Sequence, residues 1–228
     1  MSKPIDKDFG AVAALVGDPV RANILWTLLD GRAYTATELA INVDSSPQNL
    51  SMHLAKLTGA GFLAVAKQGR HRYYTYSRPE VAYAVEALAA LLPPGPPSAV
   101  REAEAPIRTC RTCYDHLAGR LGVQVTESLV QKKLIEPGPG IFTLTEKGMR
   151  WFGDFGVDCE TLQTGRRSFA RACLDWTERR PHLAGALGAA LLKKMMEEYW
   201  FRPMKDTRAV LLTPKGRKAM NEVFGLAI

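Results

Sequence analysis

Apolar and polar positions recur along this chain with two different periods. Phe9-Gly10-Ala11-Val12-Ala13-Ala14-Leu15-Val16 is a short apolar run closed by Gly17, which predicts a first helix. Asp18 stands where a cap belongs and Pro19 at the first helical position, where its missing N–H costs nothing. Val20, Ile24, Leu25 and Leu28 then give a second helix its buried stripe, and Gly31 stops it. Thr35-Ala36-Thr37-Glu38 has the spacing of a helix start, with Thr35 or Thr37 as cap, Leu39 pointing inward and an end near Asn42. Ser45-Ser46-Pro47 opens a fourth helix, whose Leu50, Leu54 and Leu57 face the core and leave Gln48, Asn49, Ser51, Met52, His53 and Lys56 on or near the exposed side. Beyond it the period shortens. Phe62-Leu63-Ala64-Val65-Ala66 and Arg72-Tyr73-Tyr74-Thr75-Tyr76 are β-prone runs joined by a polar loop containing Gly69, a hairpin signal, with the tyrosines as sheet packing.

Charge sharpens this picture. The chain carries a formal net charge of +7, yet residues 45–79 hold Lys56, Lys67, Arg70, Arg72 and Arg78 with no Asp or Glu. A helix followed by a cationic hairpin is the order of a winged-helix DNA reader. Gln48 and Asn49 occupy the first turn of the helix, and amide side chains read adenine edges in the major groove. Thr35, Ser45, Ser46 and Ser51 are candidates for phosphate or base contacts, with Met52, His53 and Lys56 beside them, and Lys67, Arg70 and Arg72 on the hairpin reach backbone phosphate. The plainer reading is a polar helix start on a winged module that binds proteins instead of DNA.

Length bounds the organisation. With 228 residues and 46% hydrophobic content, the chain can bury one large core or two modest ones. Pro93-Pro94-Gly95-Pro96-Pro97 cannot be crossed by a helix, so the expected division is a DNA-binding and dimerisation domain over 1–95, a linker over 96–104 and a C-terminal domain over 105–228. No run approaches the roughly 18 apolar residues of a membrane span, and the N-terminus lacks a signal-peptide core, so a cytoplasmic protein without a membrane partner is expected.

Asp18-Pro19-Val20-Arg21 with Ile24-Leu25 and Leu28-Leu29, then Glu38-Leu39-Ala40, Ser46 through Leu57, Gly59-Ala60-Gly61 and Gly69-Arg70-His71-Arg72-Tyr73-Tyr74 together resemble the ArsR/SmtB family of bacterial winged-helix repressors over roughly residues 9–92. The resemblance implies a homodimer held by the first helix and the helix after the wing, here about 79–92. It also implies two recognition helices on a double-stranded operator, and repression relieved by an inducer. The segment where that family's metal sensors carry thiolates, Glu38 to Asp44, has no cysteine, and Val81 to Leu92 has neither His nor Cys. Sensing of a small molecule or metal(loid) therefore falls to the extra C-terminal half.

That half repeats itself. His116-Leu117-Ala118-Gly119 recurs as His182-Leu183-Ala184-Gly185, followed by Leu121/Leu187, Gly122/Gly188 and Pro137/Pro203, and Leu144-Thr145-Glu146-Lys147-Gly148 answers Leu212-Thr213-Pro214-Lys215-Gly216. Tandem units are expected over about 106–160 and 165–228, each built of one or two helices, a short β-prone segment and a Thr-capped helix. The fold class is thus mainly α with small β wings: an N-terminal winged helix-turn-helix and a helical C-terminal domain. The run from Ala184 to Phe201 reads as one broadly apolar helix whose Met195 and Met196 serve core or ligand pocket.

Four cysteines in a reducing compartment should be thiols, used for packing, metal or redox chemistry. If Cys110-x-x-Cys113-x-x-His116 is helical, the two thiols share a face, so Cys110, Cys113 and His116, completed by Cys173, Cys159 or His182, are candidates for a soft ion. A redox pair of Cys110 with Cys113 is the alternative, Arg108 and Arg111 lowering a thiol pKa, and burial without chemistry is the commoner use of such residues. No phosphate-binding loop, dinucleotide fingerprint, zinc-protease helix or nucleophile elbow is present, so neither an enzyme nor a bound cofactor is expected.

Overall fold

The structure, a computed structural model, describes residues 7–91, 105–205 and 207–228. These separate into two compact units, one up to Glu86 and one from Ala87 onward. The break falls ahead of the boundary expected at residue 95. The proline run 93–97 and the linker 96–104 lie outside the described residues, apart from their flanks.

The N-terminal unit begins with α1 (Lys7–Val16) and α2 (Pro19–Thr27), the latter continued by a 3-10 turn at Leu28–Asp30 and stopped at Gly31. Asp18 caps α2 by accepting from the Arg21 amide at 3.0 Å. Arg21 turns its side chain back onto the carbonyls of Leu15 and Ala14, at 2.6 and 2.7 Å, and so closes the C-terminus of α1 with a cation, where the helix dipole favours one. A short strand β1 (Tyr34–Thr35) leads into α3 (Ala36–Asn42), started by a full capping box between Thr35 and Glu38. Then come α4 (Pro47–Gly59), β2 (Leu63–Gln68), β3 (His71–Tyr76) and α5 (Pro79–Ala89).

β1 was not foreseen; its two residues pair with Tyr74 and Tyr73, making a three-stranded sheet in the order β1-β3-β2. Two residues carry no readable alternation, so only the partner strand reveals it. Ile24, Leu25, Leu28, Leu39, Leu50, Leu54, Leu57 and Leu63 form the core with Val81 and Val85 of α5, and Tyr74 and Tyr76 pack against it. The Tyr76 hydroxyl donates to the Leu25 carbonyl, tying the sheet to α2.

The C-terminal unit is not helical as expected but interleaves helices with hairpins. After α6 (Ala105–Thr109), the order is β4 (Arg111–Cys113), β5 (His116–Ala118), α7 (Gly119–Gln131), β6 (Ile135–Pro137), β7 (Phe142–Leu144), α8 (Glu146–Asp154) and α9 (Cys159–Gln163). It continues with β8 (Arg171–Leu174), β9 (Pro181–Ala184), α10 (Gly185–Glu197), β10 (Phe201–Pro203), β11 (Val210–Leu212) and α11 (Pro214–Phe224). Hairpin, 13-residue helix, hairpin and Thr-capped helix thus occur twice, with Thr145 and Thr213 accepting from Gly148 and Gly216. The opening hairpins escape a periodicity reading because their strands are three or four residues long.

The two hairpin pairs are exchanged. Arg111 of β4 bridges Ala209 at the entry to β11, and Ile141 beside β7 bridges Arg171 of β8, so each half's first hairpin adjoins the other half's second. One continuous core results, from Leu121, Val125 and Leu129 on α7 to Leu187, Leu191 and Met195 on α10. Met195 is fully buried there and Met196 packs partly against it, so both serve packing. Gly119 and Gly185, the last residues of the repeated His-Leu-Ala-Gly, have φ of 79° and 80°, and a Cβ on either would lie 2.8 or 2.6 Å from a backbone carbonyl oxygen. Their identity is dictated by the turn from strand into helix.

Candidate functional site

On α4 the Ser46 side chain caps the helix by accepting from the Asn49 amide at 3.3 Å, and the Asn49 side chain donates to Ser45 Oγ at 3.0 Å. Ser51 donates to the Pro47 carbonyl at 2.8 Å. These three hydroxyls therefore organise the helix start, and Gln48, Met52 and Lys56 are longer side chains exposed along the same helix, Met52 at 59%. Thr35 is likewise occupied: its hydroxyl donates to Glu38 Oε2 at 2.8 Å inside the capping box.

His53 departs from the exposed position expected for it. It is buried as the i+3 member of the stripe that starts at Leu50, with Nδ1 3.4 Å from Asp18 Oδ1, ion-pair range, so it ties α4 to the start of α2. Asp18 is thereby surrounded by the Arg21 amide, the Arg21 guanidinium and His53, and its carboxyl is held below its usual range, chiefly by the amide hydrogen bond.

The wing is built to present cations. Gln68 pairs with His71 across a two-residue loop, Gly69-Arg70, in which Gly69 takes φ of 59°, the turn that suits the twist of a hairpin. Lys67 and Arg72 stand directly opposite each other in the register, a like-charge pair that opposes the hairpin in isolation. Arg70 projects from the tip, its Nε 3.4 Å from His71 Nε2. All three cations are exposed.

The C-terminal unit gathers a different set. Cys113 and His116 are direct partners in the β4–β5 register, and Cys173 and His182 are direct partners in the β8–β9 register. The two hairpins bring these four side chains together, so that one ligand atom from each lies within 4.8 Å of all the others. The imidazoles stack with Nε2 atoms 3.1 Å apart. Behind each ring stands a carboxylate two residues beyond the local cysteine: Asp115 Oδ1 is 3.5 Å from His116 Nδ1, and Asp175 Oδ2 is 3.6 Å from His182 Nδ1, ion-pair distances slightly long for hydrogen bonds.

The carboxylates are anchored in turn. Asp175 accepts from Arg111 at 2.9 Å and from the Gly119 amide at 2.8 Å, with Arg111 and Asp175 both fully buried, and the Arg111 guanidinium lies over the Trp176 ring at 5.0 Å. Arg167 forks onto both oxygens of Asp115. Burial would raise the pKa of each carboxyl, but these guanidinium partners outweigh it and hold both well below the carboxylate range. A hydrogen bond from Cys113, supported by His116 and His182, pulls the Cys173 thiol down against burial. Burial disfavours a charged His116, yet Asp115 and Cys173 leave its pKa raised.

Of the candidate ligands, Cys113, His116 and Cys173 meet, whereas Cys110 does not join them. The helix expected to carry Cys110 and Cys113 together ends at Thr109, and Cys113 lies on a strand, where positions an odd number apart face opposite sides. Cys110 belongs to the apolar core, and burial pushes its thiol up to about 12, which removes it as a reactive partner for Cys113. Cys159 is also core, its thiol raised to about 11. His182 completes the group, although the sequence suggested it only as one choice among several. The missed signal is Arg111-x-Cys113-x-Asp115 against Arg171-x-Cys173-x-Asp175, displaced from the His-Leu-Ala-Gly alignment by six residues inserted before His182.

No single helix among the described residues is long and apolar enough to cross a membrane. A helix-turn-helix domain model matches residues 16–66, which span α2, α3 and α4 and reach into β2. Among solved structures, HlyU from Vibrio cholerae N16961 is 29% identical, covering 37% of this chain and 91% of that one with a TM-score of 0.35. The transcriptional repressor BigR from Xylella fastidiosa is 20% identical over 39% of this chain and 90% of that one, with a TM-score of 0.36. The HTH-type transcriptional regulator YdfF of Bacillus subtilis (strain 168) is 39% identical over 226 residues, 98% of this chain and 100% of that protein, so the chain belongs to the same family of DNA-binding HTH-type transcriptional regulators.

Proposed function

We propose that this regulator is a homodimeric, sequence-specific repressor of the ArsR/SmtB kind, in which α4 enters the major groove and the wing holds flanking phosphates. The observation that carries this reading is the wing itself. Lys67 and Arg72 are set directly opposite each other with Arg70 at the tip, an arrangement that costs free energy alone and is relieved by a polyanion. Gln48 and Lys56 lie exposed along the helix that precedes it, and no acid occurs from residue 45 to 79. Dimerisation is supported by apolar side chains left in solvent on the two helices expected to form the interface: Phe9 at 66% and Val12 on α1, and Leu88 on α5. Release by an effector acting on the C-terminal unit completes the proposal.

The test is binding of the purified protein to its own upstream intergenic DNA and to a scrambled duplex across a salt series, with mass measured in solution. A repressor dimer binds the first duplex preferentially. Asn49→Ala then loses about 1–3 kcal/mol on the specific site and little on the scrambled one, because a base-reading amide contributes to discrimination. Equal losses on both duplexes remove Asn49 from base reading. No preference for either duplex turns the winged unit into a protein-interaction module.

A further inference from the structure

We propose that Cys113, His116, Cys173 and His182 bind one thiophilic divalent cation of the zinc class, which joins the two halves of the C-terminal unit. This goes beyond the DNA-binding reading and is independent of it.

The donor set is two sulfurs and two imidazole nitrogens, and a tetrahedral S2N2 site is the preference of zinc-class ions. The geometry agrees in detail. Metal–nitrogen distances of about 2.0–2.1 Å at the tetrahedral angle place two nitrogens about 3.3 Å apart, and the Nε2 atoms of His116 and His182 stand 3.1 Å apart. Each histidine has its Nδ1 turned to its own carboxylate, Asp115 or Asp175, the arrangement that fixes an imidazole with Nε2 forward for a metal. Cys113, His116 and His182 are 1–2% exposed and Cys173 is half-buried, so four protein donors are at hand to fill all four positions. Such a closed site is structural in character.

Charge closes as well. Two thiolates and a divalent cation sum to zero, and the two carboxylates behind the histidines are matched by Arg111 and Arg167. The assembly, buried at Arg111 and Asp175 and open to solvent at Asp115 and Arg167, then carries no uncompensated charge, the condition for its buried part being tolerated. Each half of the unit supplies one Cys and one His at paired strand positions and one Asp two residues past the Cys, and the His116–His182 contact spans 66 residues. The ion thus cross-links two distant segments, which favours the folded chain by restricting the unfolded one.

The test uses the full chain, reduced and stripped of metal, titrated with Co2+ as the optical probe and with Zn2+ in competition. The expected result is one ion per chain, with the thiolate-to-cobalt charge-transfer and tetrahedral d–d absorption displaced by Zn2+. Zn2+ should also protect two of the four thiols from a thiol reagent. His182→Ala abolishes the tetrahedral spectrum, and Cys110→Ala, a buried thiol outside the cluster, keeps it. Asp115→Asn, which touches no ligand atom but removes the carboxylate behind His116 together with its Arg167 pair, weakens Co2+ binding about 10- to 100-fold. The proposal is overturned if the reduced wild-type chain takes up no stoichiometric ion, if His182→Ala leaves the spectrum intact, or if Cys113 and Cys173 form a disulfide and the reduced form still ignores Co2+. Because the decisive measurement is made on wild-type protein, misfolding of a variant does not blur it, and loss of the metal reading leaves DNA binding by the N-terminal unit standing.

Discussion

The two units handle polar chemistry in opposite ways. The N-terminal unit has an apolar core of leucines and keeps the cations of its wing outside, where Lys67, Arg70 and Arg72 are all exposed. The C-terminal unit turns its polar chemistry inward: Arg111 and Asp175 are fully buried beside His116 and His182. An outward-facing site depends on local sequence, whereas an inward-facing one depends on which segments meet. Substitutions in the two units should accordingly differ in what they break.

The largest effect is expected where a buried charge loses its partner. Asp175→Ala strands Arg111 and should cost about 3–5 kcal/mol, read by denaturant unfolding as loss of the C-terminal unit's transition. An equal shift in a fluorescence probe of the N-terminal unit would break the comparison. Next come two glycines of similar φ. Gly185 at φ of 80° has carbonyl oxygen 2.6 Å from where a Cβ would stand, whereas Gly61 at φ of 72° has nothing within 4 Å. Gly61→Ala should cost only the left-handed backbone strain, about 1–2 kcal/mol, and Gly185→Ala that strain plus about 1–3 kcal/mol of overpacking. Equal melting shifts for the pair would show that the carbonyl gives way.

On the wing, if it holds DNA as proposed, Arg70→Ala should leave stability unchanged, weaken specific and scrambled duplexes alike, and lower the slope of log affinity against log salt by about 1. The smallest effect concerns acid. Asp18 and Glu38 have folded pKa values below their ordinary ones, chiefly through hydrogen bonds from the backbone amides of Arg21 and Thr35. Their contribution is complete above the unfolded value of about 4 and fades as pH falls toward the folded value. Asp18→Asn should flatten the stability of the N-terminal unit between about pH 5 and pH 3, measured by denaturant midpoints.

What could be read from sequence follows the same division. The caps at Asp18 and Ser46 and the stripe Leu50, Leu54, Leu57 are local signals, and each appears where its spacing puts it, while of the two threonines open as the cap of α3 it is Thr35 that serves. His53 shows the limit, since the i+3 position of that stripe is buried whatever its polarity. In the C-terminal half, Thr145 and Thr213 are also legible caps. The cysteine–histidine cluster was not, because it depends on two three- or four-residue strands pairing within each half and on the halves meeting afterwards. The helical spacing from Cys110 to Cys113 was the wrong period for a strand, and the six-residue insertion hid the second Arg-x-Cys-x-Asp.

The exchanged bridges Arg111 to Ala209 and Ile141 to Arg171 have a further consequence. A unit assembled this way holds two stretches of the same element order on one chain, so neither is bound to stay identical to the other. The segment Trp176–Pro181 exists in the second half alone, and it places an indole ring against Arg111 of the first. Two identical chains would have to carry that segment twice; a single chain carries it once and places it on one side alone.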